Sequence, residues 1–213
     1  MKKKITAIVL VVIVLAMLFT GMTLAYFTDE DDATNVFTYG DVSIDVKEKG
    51  KDGQPVDEIE YKDVFPGGRY VKTPYIVNDG TSGAYVRIGV KVNRAALLAL
   101  TGETAVGNTD ALLEELVDIN TTCWKFAKVV AEEENGEMVV TLWYDYLDNG
   151  GILAAGEASA HLFTKVNIPA EVTYDDLNGL NDKEKFTLVI LGQAVQTASF
   201  DSYSAAFAAA FPG

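Results

Sequence analysis

Cysteine and histidine are nearly absent from the 213-residue sequence, with Cys123 and His161 the single examples of each. One thiol excludes an intrachain disulfide. One thiol with one imidazole also excludes the usual Cys/His zinc sites, which draw on several such ligands. Positive charge is scarce too, 17 Lys and Arg against 31 Asp and Glu, for a formal charge of −14. Such a surface repels phosphate backbones, so no nucleic-acid partner is expected. The sequence holds no Gly-x-Ser-x-Gly elbow, no His-Glu-x-x-His and no glycine-rich phosphate loop. What it has in quantity is apolar: 49% of residues are hydrophobic, enough for a packed core and too many for wholesale disorder.

The N-terminus concentrates what little positive charge there is. Lys2, Lys3 and Lys4 precede a charge-free run from Ile5 to Phe19, and Thr23-Leu24-Ala25 supplies small residues at the −3 and −1 positions of a cleavage site. This is the layout of a secretory signal peptide, with cleavage expected between Ala25 and Tyr26. Left uncleaved, residues 5–25 would be just long enough to span a bilayer, and the leader is the only membrane contact expected. Its removal would move the formal charge from −14 to −17. The expected location is therefore outside the cell, in the matrix or at the cell surface.

Beyond the leader, Tyr26–Tyr39 has apolar ends around the acidic Asp29-Glu30-Asp31-Asp32 and no strong period. Alternation then begins. Val42, Ile44 and Val46 fall on one face of a predicted strand over 41–47. Further strands are predicted over 69–78, 85–92, 124–131, 138–146, 160–168 and 185–196, bounded by Gly, Pro, Asn and Asp. The run Leu188-Val189-Ile190-Leu191 is apolar on both faces and suits a central strand. Arg94–Leu100 and Asp110–Ile119 read as a helical insertion, with Leu112, Leu113, Leu116 and Val117 in phase and Asn108, Thr109 or Asp110 as cap. At the C-terminus Phe200, Tyr203, Phe207 and Phe211 form an aromatic helical stripe with Ser199 as the expected N-cap. Short strands without regular strand–helix alternation predict a mainly antiparallel all-β sandwich, with residues 1–25 as leader, 26–39 as an N-terminal segment and 40–213 as one domain.

Candidate chemistry is thin. His161 is expected on the exposed face of a strand, where no nucleophile accompanies it. Cys123, beside Trp124 in an apolar stretch, reads as a buried structural thiol. The clusters Asp29–Asp32, Glu132–Glu134 and Asp175-Asp176 offer the oxygen ligands Ca²⁺ takes, but none has the spacing of a calcium loop. No catalytic residue, metal site or cofactor is expected, Ca²⁺ being the one ion the clusters could serve. Trp143, Tyr144 and Tyr146 are the only sugar-platform candidates, and alternation sends some of them to the core.

Several segments, in order, resemble the TasA/camelysin family of exported bacterial proteins. They are Ala25-Tyr26-Phe27-Thr28-Asp29 followed by Phe37-Thr38-Tyr39-Gly40; Phe65-Pro66-Gly67-Gly68-Arg69; Val77-Asn78-Asp79-Gly80 followed by Ala84-Tyr85-Val86-Arg87-Ile88; Leu153-Ala154-Ala155-Gly156-Glu157 followed by Leu162-Phe163-Thr164-Lys165-Val166; and Ala194-Val195-Gln196 with Phe200-Asp201. Gly68 stands where the family more often has an acidic residue, and Ala155 where it has proline.

The resemblance implies a jelly-roll-like β-sandwich, a leader processed by a SipW-type signal peptidase, and a structural role as subunit of extracellular biofilm-matrix fibres. In such fibres the mature N-terminal segment is a donor strand for a neighbour. Here that would make residues 26–38 the donor, with Phe27, Val36 and Phe37 as anchors, and the partners further copies of the chain and other matrix subunits. Head-to-tail addition does not close on itself and builds filaments. The same segment could instead fold back on its own sheet. Two other readings stand beside this one: a monomeric cell-surface binding module, and a camelysin-like metallopeptidase, for which one histidine is a poor ligand supply.

Overall fold

The computed structural model describes residues 28–31, 42–49, 53–56, 64–101, 109–173 and 187–212. Its elements, in order, are β1 (Thr28–Asp31), β2 (Ile44–Lys49), β3 (Pro55–Val56), β4 (Arg69–Val71), β5 (Tyr75–Asn78) and β6 (Ala84–Asn93), then α1 (Arg94–Thr101) and α2 (Thr109–Leu116). There follow β7 (Trp124–Glu134), β8 (Glu137–Tyr146), β9 (Ile152–Leu153), β10 (Lys165–Asn167), β11 (Val189–Gln196) and α3 (Tyr203–Ala210). All the strand pairings among the described residues are antiparallel. The expected β architecture, with a short helical insertion and a C-terminal helix, is borne out.

The strands form one large sheet ordered β1-β11-β6-β8-β7, with β9 added beside β6, and two small ones, β3-β2-β5 and β10-β4. Alternation explains the layers. Val86, Ile88, Val90 and Val92 of β6 share the inner face with Leu142 and Tyr144 of β8, and meet Ile44 and Ile76 of the small sheet. The helical insertion closes the same core with Leu97, Leu100, Leu113 and Leu116, each fully buried. β2 can approach β11 because Gly192 has no side chain: a Cβ there would lie 2.7 Å from Val46 Cγ2. A buried asparagine sets the turn after β5. Asn78 Nδ2 donates to the Ser82 and Leu153 carbonyls, both at 2.9 Å, and its Oδ1 accepts from Gly80 N at 3.1 Å.

Several local expectations are corrected. The predicted strand 69–78 is interrupted at Lys72-Thr73-Pro74, where proline has no N–H to give a ladder. The predicted strand 160–168 is regular only over 165–167. Leu162 and Phe163 are adjacent and both fully buried, which a strand with one core-facing side does not allow. That loop is held instead by Asp118, whose carboxylate accepts from Thr164 N (2.9 Å), Thr164 Oγ1 (2.6 Å) and Lys165 N (2.9 Å). β11 lies inside the sheet as expected, but its buried part is Gly192–Val195 and not the apolar run before it. The most buried strand is β6, covered on both faces. Helix α3 is capped by Ser202, whose Oγ accepts from Ala205 N at 3.3 Å. Ser199 is spent in a 3₁₀ turn over Thr197–Ser199. For α1 the cap is Asn93, whose Oδ1 accepts from Ala95 N and Ala96 N. Asn108 lies outside the described residues.

Candidate functional site

The large sheet has two ends, and the N-terminal segment occupies one of them. Thr28, Asp29, Glu30 and Asp31 stand opposite Val195, Ala194, Gln193 and Gly192 of the chain's own β11. Of the residues singled out in the sequence for processing and assembly, Ala25, Tyr26, Phe27, Val36 and Phe37 lie outside the described residues. So do Asp175 and Asp176.

A polar row crosses the outer face. The register runs Gln193–Arg87–Asp145–Lys125, one residue from each of β11, β6, β8 and β7. Arg87 is its centre. Its guanidinium is buried, with Nε donating to Gln193 Oε1 at 2.6 Å. The Cζ atom lies 4.7 Å from the centroid of Trp143, 4.4 Å from Phe207 and 5.0 Å from Phe211. A planar cation of this kind stacks on rings on either side, which an ammonium does poorly. Burial pushes the neighbouring Asp145 carboxyl up, against the pull of Arg87, Lys125 and Lys128. Above the row, α3 seats Ala206 and Phe207 on Tyr85 and Val195, and Tyr85 Oη donates to the Phe200 carbonyl at 3.3 Å. Sequence reasoning found the aromatic stripe and the alternation of β6 separately. It missed that the arginine facing outward from β6 is the stripe's seat. The one signal was a cation, Arg87, between apolar residues in the first half of the strand.

This arrangement fastens a helix to a sheet and contains no nucleophile with its base. The peptidase-type candidates fare no better. His161 sits in the irregular 160–164 loop and not on an exposed strand face, its ring edge-on to Tyr75 at 5.2 Å and 86°. Its Nδ1 is buried without a hydrogen-bond partner among the described residues. Burial, with help from Lys49, holds its pKa below the usual imidazole value. The buried carboxylate Glu48 accepts from Lys72 Nζ. Among the described residues no three His, Cys, Asp or Glu side chains come together in a way that could hold a metal ion. A zinc peptidase needs three protein ligands and a general base, and the one histidine, packed as it is against Tyr75, does not fit that set. Cys123 is half-buried rather than buried. Its Sγ lies 3.4 Å from Asp148 Oδ2, and burial and that carboxylate both raise its pKa and keep it a thiol. Trp143, Tyr144 and Tyr146 are all buried, which leaves no aromatic platform on β8.

No helix among the described residues is long and apolar enough to cross a membrane. The model of the family described as camelysin metallo-endopeptidase matches residues 1–93, a stretch that ends with the last residue of β6. No curated protein and no solved structure matches the chain.

Proposed function

As a member of the camelysin family, that of TasA, over residues 1–93, this chain is, we propose, an exported structural subunit of extracellular biofilm-matrix fibres. Subunits add head to tail as the mature N-terminal segment of one copy pairs with the sheet of the next. The observation that supports this reading is the setting of β1. It is a four-residue strand at the end of the sheet, paired among the described residues with β11 alone, and it lies between a predicted cleavage site and a stretch of twelve residues before β2 is reached. An end strand paired on one side is the kind of element that a second copy can supply. The predicted leader keeps Tyr26 blocked until export, so assembly waits for cleavage.

For the peptidase named in the family's description, no set of metal ligands comes together among the described residues. The monomeric binding module has lost its candidate platform to the core. Negative-stain electron microscopy of the exported, processed protein tests the reading beside a variant lacking residues 26–38. Filaments from the first and none from the second are expected. Filaments from both would keep the fibre and remove strand donation; single particles from both would turn the reading to a surface-binding module.

A further inference from the structure

The other end of the large sheet is β7, and among the described residues no strand pairs with its outer side. With 11 residues it is the longest described strand. Edge strands in natural proteins are commonly shortened, covered or given inward-pointing charge to prevent pairing. β7 has two such devices, an irregularity between Phe126 and Lys128 and, near its far end, Glu133 at an inward position opposite Met138. Between them the strand is regular, and its inward positions Val129 and Ala131 are apolar and open to solvent. Val129, opposite Leu142, is 44% exposed; Ala131, opposite Val140, is exposed; and Met138 on the adjoining strand is 42% exposed.

The outward positions of the same stretch carry charge of opposite sign at its two ends. Lys128 faces the Trp143 side, Val130 the Thr141 side and Glu132 the Val139 side. Antiparallel pairing of two such strands about Val130 would set Lys128 of each copy directly opposite Glu132 of the other. It would set Val129 opposite Ala131 and Val130 opposite itself. Directly opposed residues share a face and interact, with opposite charges attracting and like charges repelling. A centre at Ala131 would oppose Val129 to Glu133 and Val130 to Glu132. A centre at Val129 would leave Lys128 facing Val130. Over positions 128–132 only the Val130 centre matches charge with charge and apolar with apolar; beyond them it sets Ala127 opposite Glu133 and Phe126 opposite Glu134, whereas the Ala131 centre sets Lys128 opposite Glu134 but two glutamates against valines.

The geometry points to β7 as a self-complementary docking edge for a second copy of this chain, joined by two-fold antiparallel pairing centred on Val130. The contact is isologous and closes on itself, so it makes dimers or, within fibres, couples two of them side by side. It does not rest on the strand-donation reading, because it uses the opposite end of the sheet.

Sedimentation velocity of the exported, processed protein at about 50 μM, in the range where a micromolar association is fully read, gives the test. Dimers are expected from the wild type and from a variant lacking residues 26–38. K128E and E132K should each weaken dimerisation on the order of tenfold or more, since like charges then face each other, and the double variant K128E/E132K should recover it. Opposed residues in an antiparallel pair have Cα atoms about 4.5–5.5 Å apart, within disulfide reach, so V130C should cross-link two copies on oxidation and V129C should not. A monomeric wild type, a double variant no better than the single ones, or equal cross-linking by V129C and V130C would each overturn the assignment. Loss of the dimer on removing residues 26–38 would assign the contact to the N-terminal segment instead.

Discussion

Arg87 and Gln193 face each other across β6 and β11, with Nε donating to Oε1 at 2.6 Å. That bond orients the guanidinium plane so that it lies over Trp143 on the sheet and under Phe207 of the C-terminal helix and Phe211 just past its end. Arg87→Lys keeps the charge beside Asp145 but loses the planar stack and the aimed N–H; a loss of about 1–2 kcal/mol is expected. Arg87→Ala removes charge and stem together and leaves the Asp145 carboxyl buried without the cation that acts on it most strongly, for about 3–4 kcal/mol. Urea unfolding measures both. Equal losses for the two variants would mean that the charge adds nothing beyond the stack and the aimed N–H. In both, amide exchange at Ala206 and Phe211, whose N–H groups bond back to Ser202 and Phe207, should speed up before exchange in β6 does.

Gly89 and Trp143 are cross-strand partners, and the indole covers the glycine. A Cβ at position 89 would lie 2.8 Å from Trp143 Cζ3 and 2.9 Å from Cη2, closer than carbon atoms pack. Gly89→Ala must therefore displace the ring, at about 1–3 kcal/mol for overpacking, and disturb the Arg87 stack with it. The chain has two tryptophans, and Trp124 lies in the inner core. A changed fluorescence spectrum of the folded variant, abolished in a Trp143→Phe background, would report the displacement. An unchanged spectrum and unchanged stability would contradict the close approach.

His161 gives the chain a pH dependence that can be assigned to one group, because it is the only imidazole. Burial is the larger cause of its lowered pKa and Lys49 the lesser. The unfolded chain, near the ordinary value of 6.5, then binds a proton more readily than the folded one. Stability is full above that value and falls as pH drops below it, until the folded-state pKa has been passed; the slope cannot exceed about 1.4 kcal/mol per pH unit for one proton. Most carboxylates titrate below about pH 5, and Asp145, whose pKa burial raises, acts with the opposite sign, so His161 is read as the difference between two proteins. Midpoints of urea unfolding between about pH 5 and 6.5 should rise with pH more steeply for the wild type than for His161→Gln. Equal slopes in the two would reject His161 as the source.

What could be read in the sequence was whatever local period or turn chemistry decides. Val86, Ile88, Val90 and Val92 announced the inner face of β6, and Leu113, Leu116 and Val117 the buried side of the insertion, because each set lies on one face of its element. Asn78-Asp79-Gly80 announced a turn. The 160–168 stretch misled because its composition suits a strand, while its backbone bonds are set by distant groups: Leu162 N donates to the Pro74 carbonyl, and Asn120 N to the Leu162 carbonyl. Ser199 and Ser202 are equal as caps by type, and only the 3₁₀ turn before the helix distinguishes them. The Arg87 seat was out of reach for the same reason. It joins residues 87, 143, 193, 207 and 211, which no window along the chain contains.

The energetics of β1 decide whether it can be exchanged between copies. Four residues give only a few ladder bonds to β11, each worth about 0.5–1.5 kcal/mol net. Ordering each residue costs about 1–2 kcal/mol of backbone entropy. The two sums nearly cancel, so the strand adds little to the stability of the chain that carries it. Removing residues 26–38 should therefore shift the urea midpoint by an amount equivalent to no more than about 1–2 kcal/mol, and leave the near-ultraviolet circular dichroism of the core aromatics intact. Unfolding of the truncated domain would mean that β1 is integral to its own sheet. It would then be held too firmly in place to be lent to a neighbour.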